Sequence, residues 1–258
     1  VPISEDITID KLTELVDDSS WEEFMPAGVS KELFNSFIKY YDPEIFVSAG
    51  RKIRTIALEA DKLNPTERVI KIANLFSCFK NPDKETVLTP WRVVNMHMSQ
   101  TLGGYDFFDN MHRETLDLPR FVDRGQVTRD TLENPNAKIL EINSKTGLYP
   151  LYVAYSIYRT KSNITKDELS YKEEKKLWND TIEKNVYVIC KTPMAKQITK
   201  RTLIGFENTK VNAHYFDDLI NQMKNKPQQL IDRVLKPSFW KKDGVKMKFD
   251  AVVGNPPY

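Results

Sequence analysis

The feature that most constrains this chain is a change of period near residue 137. From there on, short apolar runs enter polar turns, and a helical pattern follows each of the first three. "AKILEINSKTGLYPLYVAYSIYR" reads as a strand over 137–142, a turn over 143–147 and a helix. "NVYVICKTPMAKQITKRTL" repeats the pattern, and "TKVNAHYFDDLINQMK" repeats it with a strand of only a few residues. "MKFDAVVGNPPY" is a fourth strand entering a turn. Strands alternating with helices predict an α/β fold with parallel strands. In such sheets ligands bind at the carboxyl ends of the strands, so the turns are where chemistry is expected.

Upstream, residues 8 to about 80 read as helices. Asp42 before Pro43 and Asn64 before Pro65 are N-cap and first-turn signals, and Glu67 completes a capping-box pattern. In "TPWRVVNMHMSQTLGG", Thr89 is expected to cap a further helix, Pro90 to start it and Gly103 or Gly104 to end it. Residues 105–136 are polar and aromatic, with Pro119 and "ENPNA", and read as a long connecting loop. The charged helix at 166–184 looks like an insertion between the first two strands. The expected organisation is a helical N-terminal subdomain over 1–104 and an α/β domain over 105–258.

Charge divides the chain in the same direction. Residues 1–80 carry 10 Lys/Arg against 14 Asp/Glu, and residues 81–258 carry 28 against 22. The basic excess permits nucleic-acid binding by the second part, although a solvated Lys/Glu face accounts equally for "YKEEKKLWND". No apolar run approaches the ~20 residues of a membrane helix, and "VPISEDITID" has no basic stretch or apolar core of a signal peptide. Cys78 and Cys190 lie in apolar surroundings outside any CxxC pair and read as buried, reduced thiols of a cytoplasmic protein. His97, His112 and His214 do not cluster with them at metal-ligand spacing, so no metal site is expected.

Two turns carry candidate chemistry. After the first strand, Glu141 is followed by the small polar residues Asn143, Ser144 and Thr146 and by Gly147, which permits a close backbone approach. A carboxylate at a strand end suits a cofactor with a positive or hydrogen-bond-donating group, although the turn is not GxGxxG and a purely structural turn fits as well. At the fourth turn, Pro256 and Pro257 lack N–H groups. The Pro256 carbonyl and the Asn255 side chain then form two adjacent acceptors, which suit an –NH2 group. Tyr258 adds a flat face for a planar ring.

With its apolar strand, "GNPPY" resembles the catalytic motif of S-adenosylmethionine-dependent DNA adenine-N6 methyltransferases. "TPWRVVNMHM" resembles the family's Thr-Pro helix, and the order Thr-Pro helix, "ILEINSKTGLYP", "NPPY" is that of the γ group found in restriction–modification enzymes. The resemblance covers roughly residues 85–258. It implies a partial Rossmann-like methyltransferase sheet over 105–258 and S-adenosyl-L-methionine as cofactor. It further implies catalysis by Asn255, Pro256, Pro257 and Tyr258, and cofactor binding by Thr89, Pro90, Glu141, Asn143, Ser144, Gly147 and Asp217. Among these, Glu141 would take the methionine amine and Asp217 the adenine amine. The implied reaction is methyl transfer to the amine of an adenine flipped from double-stranded DNA. One departure is plain: "VYVICKTP" has no acid after the second strand to hold the ribose hydroxyls. The chain is expected to be part of a longer polypeptide with target-recognition and nuclease or helicase domains, and to be inactive alone. Two other readings remain: a non-catalytic coupling or scaffold module with a decayed cofactor pocket, and an N-methyltransferase acting on RNA or protein.

Overall fold

The structure, a computed structural model, describes residues 3–81, 87–165 and 168–254. The chain opens with helices α1 (Leu12–Leu15), α2 (Asp18–Phe24), α3 (Lys31–Phe37), α4 (Pro43–Ala60), α5 (Pro65–Ser77) and α6 (Trp91–Thr101). Local chemistry sets their starts. The side chains of Asp17, Ser30, Asp42 and Asn64 each accept a hydrogen bond from a first-turn backbone N–H, and prolines follow the last two. These are the partners that the free N–H groups of a helix start require. Helix α6 begins one residue later than expected. Pro90, extended at φ −64° and ψ 149°, holds the cap position, and Thr89 precedes it.

Residues 105–136 do not form the expected loop. Strands β1 (Gly104–Phe108) and β2 (Thr115–Val122) pair antiparallel, and a short helix α7 (Gln126–Asp130) follows. β1 is buried throughout, whereas β2 is largely exposed, with charged residues and Pro119 along it. The hairpin is held from inside. Asp106 is fully buried. It takes the Arg120 guanidinium at 2.7 Å, lies 2.9 Å from His112 Nε2 and accepts from Phe108 N at 3.0 Å.

The α/β part follows: β3 (Ile139–Ser144), α8 (Leu148–Ile164), α9 (Tyr171–Asn185), β4 (Val186–Cys190), α10 (Pro193–Ile204), β5 (Asn212–Tyr215), α11 (Leu219–Asn225), α12 (Pro227–Val234) and β6 (Ala251–Val253). The four strands form one parallel sheet in the order β5-β4-β3-β6. One face carries the larger core, with Leu151, Tyr155 and Trp178 among helices α8 and α9, and extends to Val69 of α5 and Val94 of α6. The other face packs Leu140, Tyr187 and Ile189 against Leu219, Leu230 and Trp240. The fold is therefore α/β with helices on both faces of a parallel sheet. Helix α9, expected as an insertion, lies between β3 and β4; a capping box of Ser170 and Glu173 starts it, and Trp178 and Ile182 bury its inner side. Cys190 is buried as expected, but Cys78 is exposed. It sits at the C-cap of α5, beyond the last buried residue of that helix, Ala73.

The sheet order locates the binding face. From β3 the chain steps outward to β4 and β5, then returns past both to add β6 on the other side of β3. The direction of winding reverses between β3 and β6. A crevice opens outside the carboxyl ends of strands at such a switch point, because the flanking connections leave on opposite faces.

Candidate cofactor and target site

Glu141 lies in β3, in register with Val188 of β4 and Val253 of β6. It is 4% exposed, and its Oε2 has no hydrogen-bond partner among the described residues. Burial pushes its pKa up to about 8, while a hydrogen bond with Ser144 pulls the other way. An unmet buried acceptor is destabilising by roughly 1–3 kcal/mol. A donor or cation brought beside it would relieve that penalty and favour the ionised form.

Strand β3 runs on to Ser144, so Glu141 lies within it rather than at its end, and Asn143 and Ser144, expected in the turn, are its last residues. Backbone and packing shape this end and the turn after it. Asn143 adopts a left-handed conformation at φ 68°, where the β3–β4 register shifts, so it forms a local bulge. Ser144 is fully buried, and its Oγ lies 3.1 Å from Thr199 Oγ1. Gly147, at φ 79°, precedes α8. A Cβ there would come within 3.0 Å of Thr199 Cα and 3.2 Å of Thr202 Cβ. The close approach that this glycine permits is therefore the approach of α10. Thr202 Oγ1 adds a bond to the Thr146 carbonyl at 2.6 Å.

Thr89 and Pro90 meet the same turn from the other side. Together with Trp91, Phe107, Thr146 and Leu148 they line a cavity of about 400 Å³. Glu141, Asn143, Ser144 and Gly147 do not line it. Asp217 is exposed beyond the end of β5, with Ser19 Oγ 3.3 Å away, although the Ser19 hydroxyl donates at the shorter distance of 2.7 Å to Asp17.

Helix α2, absent from the sequence-based site, lies across three of these turns. Lys145 Nζ donates to the Glu23 carbonyl at 2.8 Å and stands 5.0 Å from the Phe24 ring centre. Glu23 Oε2 accepts from the Thr192 hydroxyl, and Ser20 Oγ accepts from Met194 N at 3.1 Å. These bonds tie α2 to the turns after β3 and β4, and Ser19 brings it beside Asp217 after β5. The only local hint in the sequence is the run of small polar residues in "DDSSWEEF".

At the end of β6, Gly254 has φ 156°, and a Cβ there would lie 2.5 Å from the Ile142 carbonyl. A side chain is excluded by the neighbouring strand. The catalytic residues expected from the sequence, Asn255, Pro256, Pro257 and Tyr258, lie outside the described residues.

Residues 184–258 match the family model of the Eco57I restriction-modification methylase. The methylase match takes in β4, β5, β6 and the "NPPY" motif, and leaves β3 and its turn outside it. It supports methyl transfer to DNA in a restriction–modification system, a type of enzyme that uses S-adenosylmethionine. No curated protein and no solved structure matches the chain. Among the described residues, no helix is long and apolar enough to cross a membrane, and no His, Cys, Asp or Glu group could hold a metal ion.

Proposed function

We propose that this chain is the cofactor- and target-binding part of an adenine-N6 DNA methyltransferase in a restriction–modification system. The observation that carries the reading is the pairing at the switch point. There Glu141, buried with an unmet oxygen, stands level with the last residue of β6, the strand that leads into "NPPY". The organisation proposed with it is a helical subdomain over 1–104 and a methyltransferase domain over 105–258, in the cytoplasm.

The donor set fits S-adenosylmethionine in one respect that can be stated physically: the cofactor has an ammonium, and Glu141 lacks a donor. When bound, the cofactor supplies a sulfonium methyl group. Glu141 takes the amine, with Ser144 orienting the carboxylate. Asn143 and Gly147 shape the turn, Thr89 and Pro90 close the opposite wall, and Asp217 accepts from the cofactor's adenine amine. Asn255 Oδ1 and the Pro256 carbonyl draw the two hydrogens of the target amine. That favours a tetrahedral nitrogen and stabilises positive charge developing on it. Pro257 keeps the turn rigid and Tyr258 stacks on the base, holding it in line. A stacked adenine cannot reach this site, so the base leaves the duplex, and basic residues beyond 159 meet phosphates.

Asn255→Ala in the parent polypeptide is expected to leave S-adenosylmethionine binding intact by calorimetry and to lower DNA methylation at least about a hundredfold. Undiminished methylation would sink the assignment. One observation favours a second reading, a coupling module without catalysis: Lys145 fills the β3 turn by engaging α2. Failure of the chain to bind the cofactor would favour that reading.

A further inference from the structure

In a doubly wound sheet that binds a nucleoside cofactor, the strand next to the first commonly ends in a carboxylate that accepts from the ribose hydroxyls. Here that strand is β4, which ends in Ile189 and Cys190 and is followed by Lys191 and Thr192. No carboxylate is among them, and burial pushes the Cys190 thiol up, so it does not substitute. A carboxylate nevertheless stands at this position, and it comes from the other end of the chain. Glu23 of α2 accepts from Thr192, which is fully buried. Thr192 Oγ1 itself accepts from Ala195 N at the start of α10, so its single proton is directed at Glu23. Lys145, from the β3 turn, and Lys191, from the β4 turn, are both near enough to favour the ionised form of Glu23, although burial raises its pKa on balance. Glu23 thus sits between the turns after β3 and β4, on the side of β3 away from the switch point with β6, where a nucleoside reaching across the end of β3 would place its ribose. The ties of Ser20 to Met194 N and of Lys145 to the Glu23 carbonyl fix it there.

We propose that Glu23 is the ribose-diol acceptor of the cofactor site, so that a helix of the N-terminal region completes a pocket that the sheet leaves unfinished. This rests on the S-adenosylmethionine reading above. It makes α2 part of the binding unit.

The test is calorimetry on the 258-residue chain with S-adenosylhomocysteine and its 2′-deoxy form. The unaltered chain is expected to prefer the ribo form by about tenfold or more, the scale of a hydrogen bond to a charged group. Glu23→Gln is expected to weaken the ribo form by a similar factor and to bind the two forms alike. Glu23→Asp keeps the charge but withdraws it by one methylene, and is expected to fall between the two. Full affinity and full discrimination in either variant overturn the assignment of Glu23 while leaving the cofactor reading standing. Tighter binding by Glu23→Gln also overturns it, since α2 would then be a plug over the site. If the unaltered chain binds neither ligand, the cofactor reading falls and this inference falls with it.

Discussion

Two buried carboxylates, one in the hairpin and one in the sheet, face opposite circumstances. Asp106 and Glu141 are each at most 4% exposed. Asp106 is met by Arg120, by His112 and by a backbone N–H. Glu141 keeps one oxygen without a partner among the described residues. Burial alone therefore does not mark a functional acid. The completeness of its partners separates a clamp, which has nothing left to bind, from a site, which is stable only when something else arrives.

The largest loss of stability expected from a single substitution at fixed pH lies at the clamp. Asp106→Asn leaves the Arg120 guanidinium facing an amide inside the hairpin. Breaking a buried ion pair by removing one partner is destabilising by about 3–5 kcal/mol. Arg120 is 31% exposed, so the lower end, about 3 kcal/mol, is expected. Urea denaturation measures it. A loss below ~1 kcal/mol would mean that Asp106 is no better anchored than Glu141.

Next comes the pH dependence that Glu141 imposes. Its folded pKa, about 8, lies above its ordinary value of 4.5. Between those values the folded chain keeps a proton that the unfolded chain has lost. Stability therefore falls as pH rises through this window and levels off above 8. At 1.36 kcal/mol per unit, the decline is on the order of 5 kcal/mol. Glu141→Gln has no such slope and is expected to be the more stable protein at pH 8, while losing affinity for S-adenosylmethionine. In the unaltered chain, cofactor binding is expected to tighten as pH rises toward 8, because a bound ammonium favours the ionised carboxylate. Parallel pH–stability curves for the two proteins would show that Glu141 ionises freely, and the contrast with Asp106 would collapse.

What was legible in the sequence follows the same division between local and distant causes. The caps at Asp42 and Asn64 could be read because a side chain and a backbone N–H a few residues apart decide them. The strand–turn–helix units could be read because burial on both faces makes β3 and β4 nearly continuous apolar runs. The hairpin was hidden. β2 is exposed, and its pairing depends on Asp106 reaching Arg120, an interaction that periodicity does not display. In the site, Glu141 stood out as an acid closing an apolar run. Gly147 was read for a ligand's approach, yet the side chains beside it belong to α10. Glu23 could not be found at all, since its partner Thr192 is 169 residues away.

The smallest expected effect is at Ser144. Ser144 is the one described group whose bond lowers the pKa of Glu141. Ser144→Ala removes that bond and also the contact with Thr199 Oγ1. The direct loss of stability is about 1 kcal/mol, as for an ordinary buried hydrogen bond. The informative change is in the titration. Without the hydroxyl, the carboxylate form of Glu141 loses its only described support, so the folded pKa should rise further above 8. The fall of stability with pH should then continue to a higher pH before levelling. Carbon-detected NMR of the Glu141 carboxyl would read this directly as a midpoint displaced upward. An unmoved midpoint would mean that Ser144 serves α10 packing alone, and that Glu141 is held by the strand rather than by a partner. The mutation separates two ways of poising an acid, by burial and by a hydrogen bond. Asp106, with three partners, cannot separate them, because no single deletion there leaves the rest of its environment in place.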